Sequence, residues 1–312
     1  MPLRLSFVIP VLNGERFIAR CLEHLRRESV PEDQIIVVDN GSTDRTTAIV
    51  RGTPGTTIVE APGVTIAALR NRGAGLATND VLAFIDADCL LCPGWRASVE
   101  RVLADPAVTA TGAYYDIPLD ATWVERAWWS FRPRHEHRTS FLISGNFVVR
   151  RSVFASLGGF DERLVTDEDT DMSRRLVAAG AVLVEAPAVR VVHLGNAKTL
   201  RQFFGKERWH ATSIVAATRV HRIDRPMLLT FVFMATCALA LAAVPLGLRG
   251  YGAAAAVVAL VLVAPGVTAA YKVVTHRNYR YFFQLLPLYL IVYVVRTMVV
   301  VGALLRRSPS RN

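Results

Sequence analysis

Asp86 and Asp88, spaced one residue apart, close the apolar run Val81-Leu82-Ala83-Phe84-Ile85. The run has the length and composition of a buried strand. Desolvating two like charges at its end is costly unless a cation or hydrogen-bond donors meet them. Two hard carboxylates in that place suit a divalent metal that holds a substrate diphosphate. Solvated Asp pairs at strand-to-loop turns are also common, so on these residues alone a metal site and a plain turn are both open. A second acidic group, Asp167, Glu168, Asp169 and Asp171, leads into Met172-Ser173-Arg174-Arg175-Leu176. One helix end needs one or two acids for its dipole. The surplus suits a general base held over a ligand, with helix capping as the plainer alternative.

Other elements must bring these carboxylates together. Leu3 to Val11 reads as a first strand, broken by Asn13-Gly14-Glu15, with a helix to Arg27. Gln34 to Val38 is a second strand, ending in Asp39-Asn40-Gly41-Ser42-Thr43-Asp44, where Ser42 or Thr43 is placed to cap a helix to Arg51. Thr56 to Glu60 and the helix Thr65 to Ala77, carrying Arg70, Asn71 and Arg72, precede the strand at 81–85. Repeated strand–helix alternation predicts an open parallel α/β sheet, which binds ligands beyond the carboxyl ends of its strands. Three such ends are polar here: Pro10 to Asn13, Asp39 to Asp44 and Asp86 to Asp88. Further on, Asp116 to Thr139 reads as irregular, with Trp123, Trp128, Trp129 and Phe131 beside Arg132, Arg134, His135 and His137. These suit sugar stacking, a membrane surface or an ordinary core. Phe141 to Arg150, Val182 to Glu185 and Val189 to His193 complete the expected strands.

Bulk properties narrow the partners. The 312 residues have room for one large domain or two, and 52% are hydrophobic, the excess lying after Pro226. The net charge of +10 suits anionic partners, but no basic tract with interleaved aromatics occurs in the first half, so nucleic acid is not expected. No secretory signal is expected ahead of the first strand, and Cys21, Cys89, Cys92 and Cys237 suggest no disulfide framework. Cys89-x-x-Cys92 lacks the second pair that a zinc site needs, so no role is expected for it.

In this order the motifs resemble the inverting family-2 glycosyltransferases of GT-A fold, over residues 4–210. The matching pieces are Ser6-Phe7-Val8-Ile9-Pro10-Val11-Leu12-Asn13, Val37-Val38-Asp39-Asn40-Gly41-Ser42-Thr43-Asp44, Arg70-Asn71-Arg72-Gly73, Phe84-Ile85-Asp86-Ala87-Asp88, Gly158-Gly159-Phe160-Asp161-Glu162 and Glu168 to Leu176. The resemblance implies a Rossmann-like, mostly parallel sheet flanked by helices and a nucleotide-diphosphate sugar as donor. It implies that Asp39 contacts the base, with Pro10, Val11 and Asn13 lining that pocket. Arg70, with Asn71 beside it, would reach the diphosphate or base side. Asp86 would lie near ribose and metal, and Asp88 would bind Mg2+ or Mn2+. His193 matches a further metal ligand of some members. Asp169, paired with Glu168, would be the general base. Polymerising members carry Gln-x-x-Arg-Trp, whereas Gln202 and Arg208-Trp209 stand too far apart here, which favours transfer of single sugars over a processive polysaccharide synthase. A nucleotidyltransferase, or a nucleotide-binding transporter or scaffold component, are the readings from other classes.

Past residue 195 the chain changes character. Eight Arg and Lys residues between Arg190 and Pro226 face only Glu207 and Asp224, and Phe203, Phe204 and Trp209 are interleaved with them. This composition suits an interfacial segment on anionic membrane lipids. Residues 227–248, 251–271 and 281–305 are expected to be transmembrane helices, with Arg296 an anomaly inside the last. The expected organisation is thus a catalytic domain 1–195, a basic segment 196–226, membrane helices 227–305 and a basic tail 306–312. Basic residues before the first span and after the second predict a multi-pass cell-membrane protein with its catalytic domain on the cytoplasmic side. A lipid, lipid-linked or glycan acceptor is the expectation that goes with it.

Overall fold

The computed structural model describes residues 3–211, 225–243 and 251–305. The chain divides into two compact units, Met1–Leu119 with Arg132–Asn196, and Asp120–Phe131 with Ala197–Asn312.

The first unit is built on a mixed eight-stranded sheet. Strands β1 (Leu5–Val11), β2 (Gln34–Asp39), β3 (Thr56–Glu60) and β4 (Val81–Ile85) alternate with helices α1 (Ile18–Glu28), α2 (Thr46–Arg51) and α3 (Ile66–Leu76). They pair in parallel in the order β3-β2-β1-β4. Every residue of β1 and β4 is buried, which is why β4 reads as an unbroken apolar run and β1 as one broken only by Ser6. After β5 (Cys89–Leu91) and α4 (Trp95–Leu103), the sheet is extended by β6 (Val108–Gly112), β7 (His137–Thr139), β8 (Asn146–Arg150) and β9 (Val182–Glu185). β8 lies antiparallel between β4 and β6, β9 runs parallel to β6, and β7 closes the edge antiparallel to β9. Helix α6 (Arg151–Ser156) follows β8, and α7 (Glu168–Ala178) precedes β9. A separate two-stranded ribbon pairs β5 with β10 (Val191–His193).

Three expectations are corrected. The strand expected over Phe141 to Arg150 begins only at Asn146; Leu142 instead donates its amide to Ser173 Oγ of α7 at 3.1 Å, which holds residues 141–145 as a loop. Ser42 and Thr43 do not cap α2. They cross-link to the β1–α1 loop through Asn13, while Asp44 Oδ1 accepts the Thr46 amide at 3.0 Å. The segment expected to be irregular contains helix α5 (Trp123–Trp129), started by a reciprocal capping box of Thr122 and Glu125, as well as β7.

The second unit holds α5, α8 (Leu200–His210), α9 (Arg225–Ala243), α10 (Tyr251–Thr275), a 3-10 turn at Tyr279–Tyr281 and α11 (Phe282–Leu305). Ala254–Thr275 and Tyr279–Gly302 are long and apolar enough to cross a membrane, and Met227–Ala242 is a shorter apolar helix. Residues 244–248 of the first expected span, residues 212–224 of the basic segment and the basic tail lie outside the described residues. Trp128 and Phe131 pack with Phe203, Val273 and Leu285 in this unit's core. Lys272 Nζ sits 4.5 Å from the Trp128 ring centroid and 4.9 Å from that of Phe131, and donates to the Trp128 carbonyl at 3.2 Å. The aromatics between Asp116 and Thr139 are thus divided: these two are core, and Trp123 is 46% exposed. Arg296 does not stand alone either, since Glu207 of α8 lies within electrostatic reach of both Arg296 and Lys272.

One buried amide stitches the first unit. Asn146 Oδ1 accepts from Trp95 Nε1 at 3.0 Å, and its Nδ2 donates to the Ala113 and Val189 carbonyls at 3.1 and 2.8 Å. Asn146→Ala orphans all three partners in the interior, at about 1–3 kcal/mol for each unsatisfied group. We expect a loss of about 3 kcal/mol or more in chemical denaturation of the variant; a change below about 1 kcal/mol would mean that water replaces the amide.

Candidate active site

Antiparallel β8 starts where β4 ends, with Asn146 opposite Ile85. The residues leading into β8, Ser144 and Gly145, therefore lie against Asp86, whose amide donates to the Gly145 carbonyl at 3.3 Å. A Cβ on Gly145 would sit 2.2 Å from both Asp86 Oδ2 and the Tyr115 hydroxyl. Glycine is required here by close approach. The two oxygens of Asp86 are engaged, Oδ1 by Arg70 Nη2 at 2.7 Å and Oδ2 by the Tyr115 hydroxyl at 3.2 Å.

The ribbon places a histidine beside Asp88. His193 is the register partner of Cys89, so their side chains share one face, and His193 Nε2 reaches Asp88 Oδ1 at 3.3 Å. The His193 ring stacks on Tyr115 at 4.4 Å. One oxygen of Asp88, Sγ of Cys89 and a ring nitrogen of His193 all lie within 4.8 Å of one another, a spacing that a divalent ion can bridge. Gly195 adjoins this group so closely that a Cβ there would fall 1.8 Å from Asp88 Oδ2. The donor set of carboxylate and imidazole fits a divalent metal. Cys89, to which the sequence reading gave no role, joins the cluster because the ribbon supplies the histidine that its own neighbourhood lacks. Its thiol is pushed up by burial and then by the Asp88 charge, so it is neutral without a metal.

Across the loop from these groups stands the first turn of α7. Asp167 precedes it with φ of 65°. The acids divide by task. Asp171 pairs with Arg174 at 2.9 Å and Arg175 at 2.7 Å, and is structural. Glu168 is buried and accepts from Arg70 Nη1 at 2.6 Å and the Ser144 hydroxyl at 3.1 Å. Asp169 Oδ2 accepts the Ser144 amide at 3.2 Å and Oδ1 its neighbour Thr170's amide at 2.8 Å. The Asp169 carboxyl is pushed up to about 7, chiefly by burial and then by the Glu168 charge. A carboxyl tuned to that range can exchange a proton near neutrality.

The expected nucleotide-side residues are placed differently. Pro10 and Val11 end β1 against β2, with Val11 in register with Asp39. Asp39 is 1% exposed and its Oδ2 accepts the Gly41 and Ser42 amides at 2.9 and 2.8 Å. Asn13 Oδ1 accepts the Thr43 amide at 2.9 Å. Asn71 clamps the Gly158–Glu162 turn: its Nδ2 donates to the Phe160 carbonyl at 2.8 Å and its Oδ1 accepts the Phe160 amide at 2.9 Å. Fold and site therefore gather Arg70, Asp86, Asp88, His193, Glu168 and Asp169, while Asp39, Asn13 and Asn71 tie loops. Sequence reasoning missed Tyr115, Ser144, Gly145 and Gly195. Only Ser144-Gly145-Asn146, a small-residue break in an apolar run, could have marked two of them.

The described family Glycosyl transferase family 2 matches residues 6–158, and Glycosyl transferase family group 2 matches residues 121–301. The chain is 29% identical over 228 residues to the pre-mycofactocin glycosyltransferase of Mycobacterium tuberculosis, covering 67% of this chain and 46% of that protein. Glycosyltransferase AglE of Haloferax volcanii is 26% identical, covering 60% and 66%. The chain thus spans about half the length of the first of these relatives. In fold it is similar to a mannosyltransferase of Pyrobaculum calidifontis solved with GDP-Man and Mn2+, at TM-score 0.67 and 18% identity, covering 99% of this chain and 89% of that one.

The raised Asp169 carboxyl has a consequence for stability. Its folded value, about 7, lies above the ordinary 3.8, so the folded state holds the proton more tightly and loses stability as pH rises between them. Asp169→Asn removes that loss. The melting temperature of the variant relative to the parent should rise between about pH 4 and about pH 7 and level off above that, by roughly 2–4 °C per kcal/mol. A difference that stays flat with pH in thermal unfolding would show that Asp169 titrates as an ordinary carboxyl.

Proposed function

This chain belongs to the family-2 glycosyltransferases, and from that premise we propose that it moves a sugar, with inversion, from a nucleotide-diphosphate sugar to a hydroxyl of a lipid, lipid-linked or glycan acceptor. The observation that carries this reading is the meeting, at one end of the sheet, of the Asp86–Asp88 loop with an Asp169 carboxyl poised near neutrality.

In this reading Asp169 is the base. Ionised, it accepts the proton of the acceptor hydroxyl as that oxygen attacks the anomeric carbon from the face opposite the leaving group. The bond from the anomeric carbon to the diphosphate oxygen breaks as the new bond forms, and a single displacement inverts the centre through an oxocarbenium-like transition state. Asp88 and His193, with Asp86 beside them, would hold a divalent cation, which when bound supplies stabilisation of the charge left on the diphosphate. The imidazole favours Mn2+ over Mg2+, and the structural neighbour from Pyrobaculum calidifontis was solved with Mn2+. Glu168 and Ser144 keep Asp169 in place, and Gly145 and Gly195 let the loops close on the two aspartates.

Transfer of single sugars is supported by Gln202, whose Oε1 accepts the Lys198 backbone amide at 2.8 Å and whose backbone amide donates to Thr199 Oγ1 at 3.2 Å. It is occupied in starting α8, at the opposite end of that helix from Arg208 and Trp209. Membrane attachment is supported by the two long apolar helices. His276 and Arg277 between them, with Lys272 and Arg280 in the adjoining helix ends, suit a cytoplasmic-side turn, and through it a catalytic unit at the cytoplasmic face of a multi-pass protein.

A panel of nucleotide-diphosphate sugars, offered with Mn2+ and lipid, lipid-linked and glycan acceptors, tests the reading. Transfer from at least one donor with inverted product is expected. Asp169→Asn should lower that transfer about 100- to 10,000-fold while leaving nucleotide affinity within about twofold. Full turnover by the variant, or no binding of any diphosphate sugar by the parent, would sink the proposal.

A further inference from the structure

We propose that Arg70 is a positioning residue: its guanidinium holds Asp86 with one nitrogen and Glu168 with another, and thereby fixes where Asp169 stands relative to the sugar-nucleotide end of the site. This rests on the reading of Asp169 as the base. It gives Arg70 a task other than contact with a diphosphate or base.

Burial is the first argument. Arg70 is 1% exposed, sandwiched between the two carboxylates and with its guanidinium carbon 5.8 Å from the Phe160 ring centroid. A guanidinium so enclosed presents no open fork to a phosphate. Connectivity is the second. Tyr115 donates to Asp86 Oδ2 at 3.2 Å, and Arg70 to Asp86 Oδ1 at 2.7 Å and Glu168 Oε1 at 2.6 Å. Ser144 donates its hydroxyl to that same Glu168 oxygen at 3.1 Å and its amide to Asp169 Oδ2 at 3.2 Å. One series of hydrogen bonds therefore runs from Tyr115 through Asp86, Arg70, Glu168 and Ser144 to Asp169. Its members come from α3, from α7 and from the loops after β4, after β6 and before β8. Of these, Arg70 alone bridges the loop after β4 to α7. A lysine could not replace it, because one ammonium on a flexible stem lacks the rigid fork that spans two fixed carboxylates.

The third argument is electrostatic. Asp169 is faced by Glu168 on its own helix, by Arg70 from α3 and by the Tyr114 phenol from the segment after β6, and it accepts the Ser144 and Thr170 amides. Glu168 raises its proton affinity and Arg70 lowers it. Removing one or the other must shift Asp169 in opposite directions, which a loss of packing alone would not do.

The experiment titrates the Asp169 carboxyl by 13C NMR in the full-length protein labelled at aspartate, with the resonance identified by its absence in Asp169→Asn. Transfer is measured in parallel. Glu168→Gln, which keeps the shape and drops the charge, should move the titration to lower pH by about half a unit or more, and Arg70→Met should move it to higher pH by a similar amount. Arg70→Lys keeps the charge, so its titration should stay close to the parent's while kcat falls about tenfold or more. Shifts of the same sign, or no shift, in Glu168→Gln and Arg70→Met overturn the proposal, as does a parental kcat in Arg70→Lys. If Arg70→Met does not fold, the Glu168→Gln shift and the Arg70→Lys rate decide it. The NMR titration needs no turnover, so a parent that transfers no sugar fails the function proposed above while leaving the hydrogen-bond series tested by itself.

Discussion

A guanidinium buried in a protein interior must be matched by opposite charge, and the first unit is arranged to supply it. Arg70 has carboxylates on two sides, one from the end of β4 and one from the start of α7. Arg70, 1% exposed, is the one of the three with no route to water, and both carboxylates answer its charge. That pairing fixes the distance between two segments far apart in sequence. It also leaves a net negative charge at the site once Asp88 and Asp169 are added. A divalent ion and a proton would answer that surplus, as the proposed function requires.

Much of this was legible in the sequence, and the reasons are physical. The strands of the parallel half are buried on both faces, so composition alone gives them away, and their ends are marked by Asp39, Asp86 and Asp88. The acid-rich start of α7 was legible because it carries more charge than a helix dipole asks for. The antiparallel half was not. β8 is preceded by a loop held from outside by Ser173, and nothing local to Phe141–Gly145 announces that contact. Nor does any spacing say that His193 will pair across a ribbon with Cys89. Roles that depend on a second strand or a distant hydrogen bond, as for Tyr115 and Ser144, are properties of the fold and not of the segment.

The second unit answers its charges in the same way with different means. Lys272 lies among Trp128, Phe131 and Tyr289, whose ring faces attract it, and Glu207 stands near it and near Arg296. An arginine inside a candidate span looks forbidding as sequence. In the structure the compensating acid is Glu207 of α8, which joins that helix to the apolar helices by charge as well as by Phe203.

The path of the chain between the units has a consequence for synthesis. Asp120–Phe131 belongs to the second unit but is translated in the middle of the first. Helix α5 leaves the ribosome long before Phe203, Val273 and Leu285 exist to cover its Trp128 and Phe131. The sheet can complete itself while this helix waits with its aromatic face bare until the last helices arrive. Shortening the chain after residue 196 would make that temporary exposure permanent, so the first unit cannot be released as a clean fragment by cutting there.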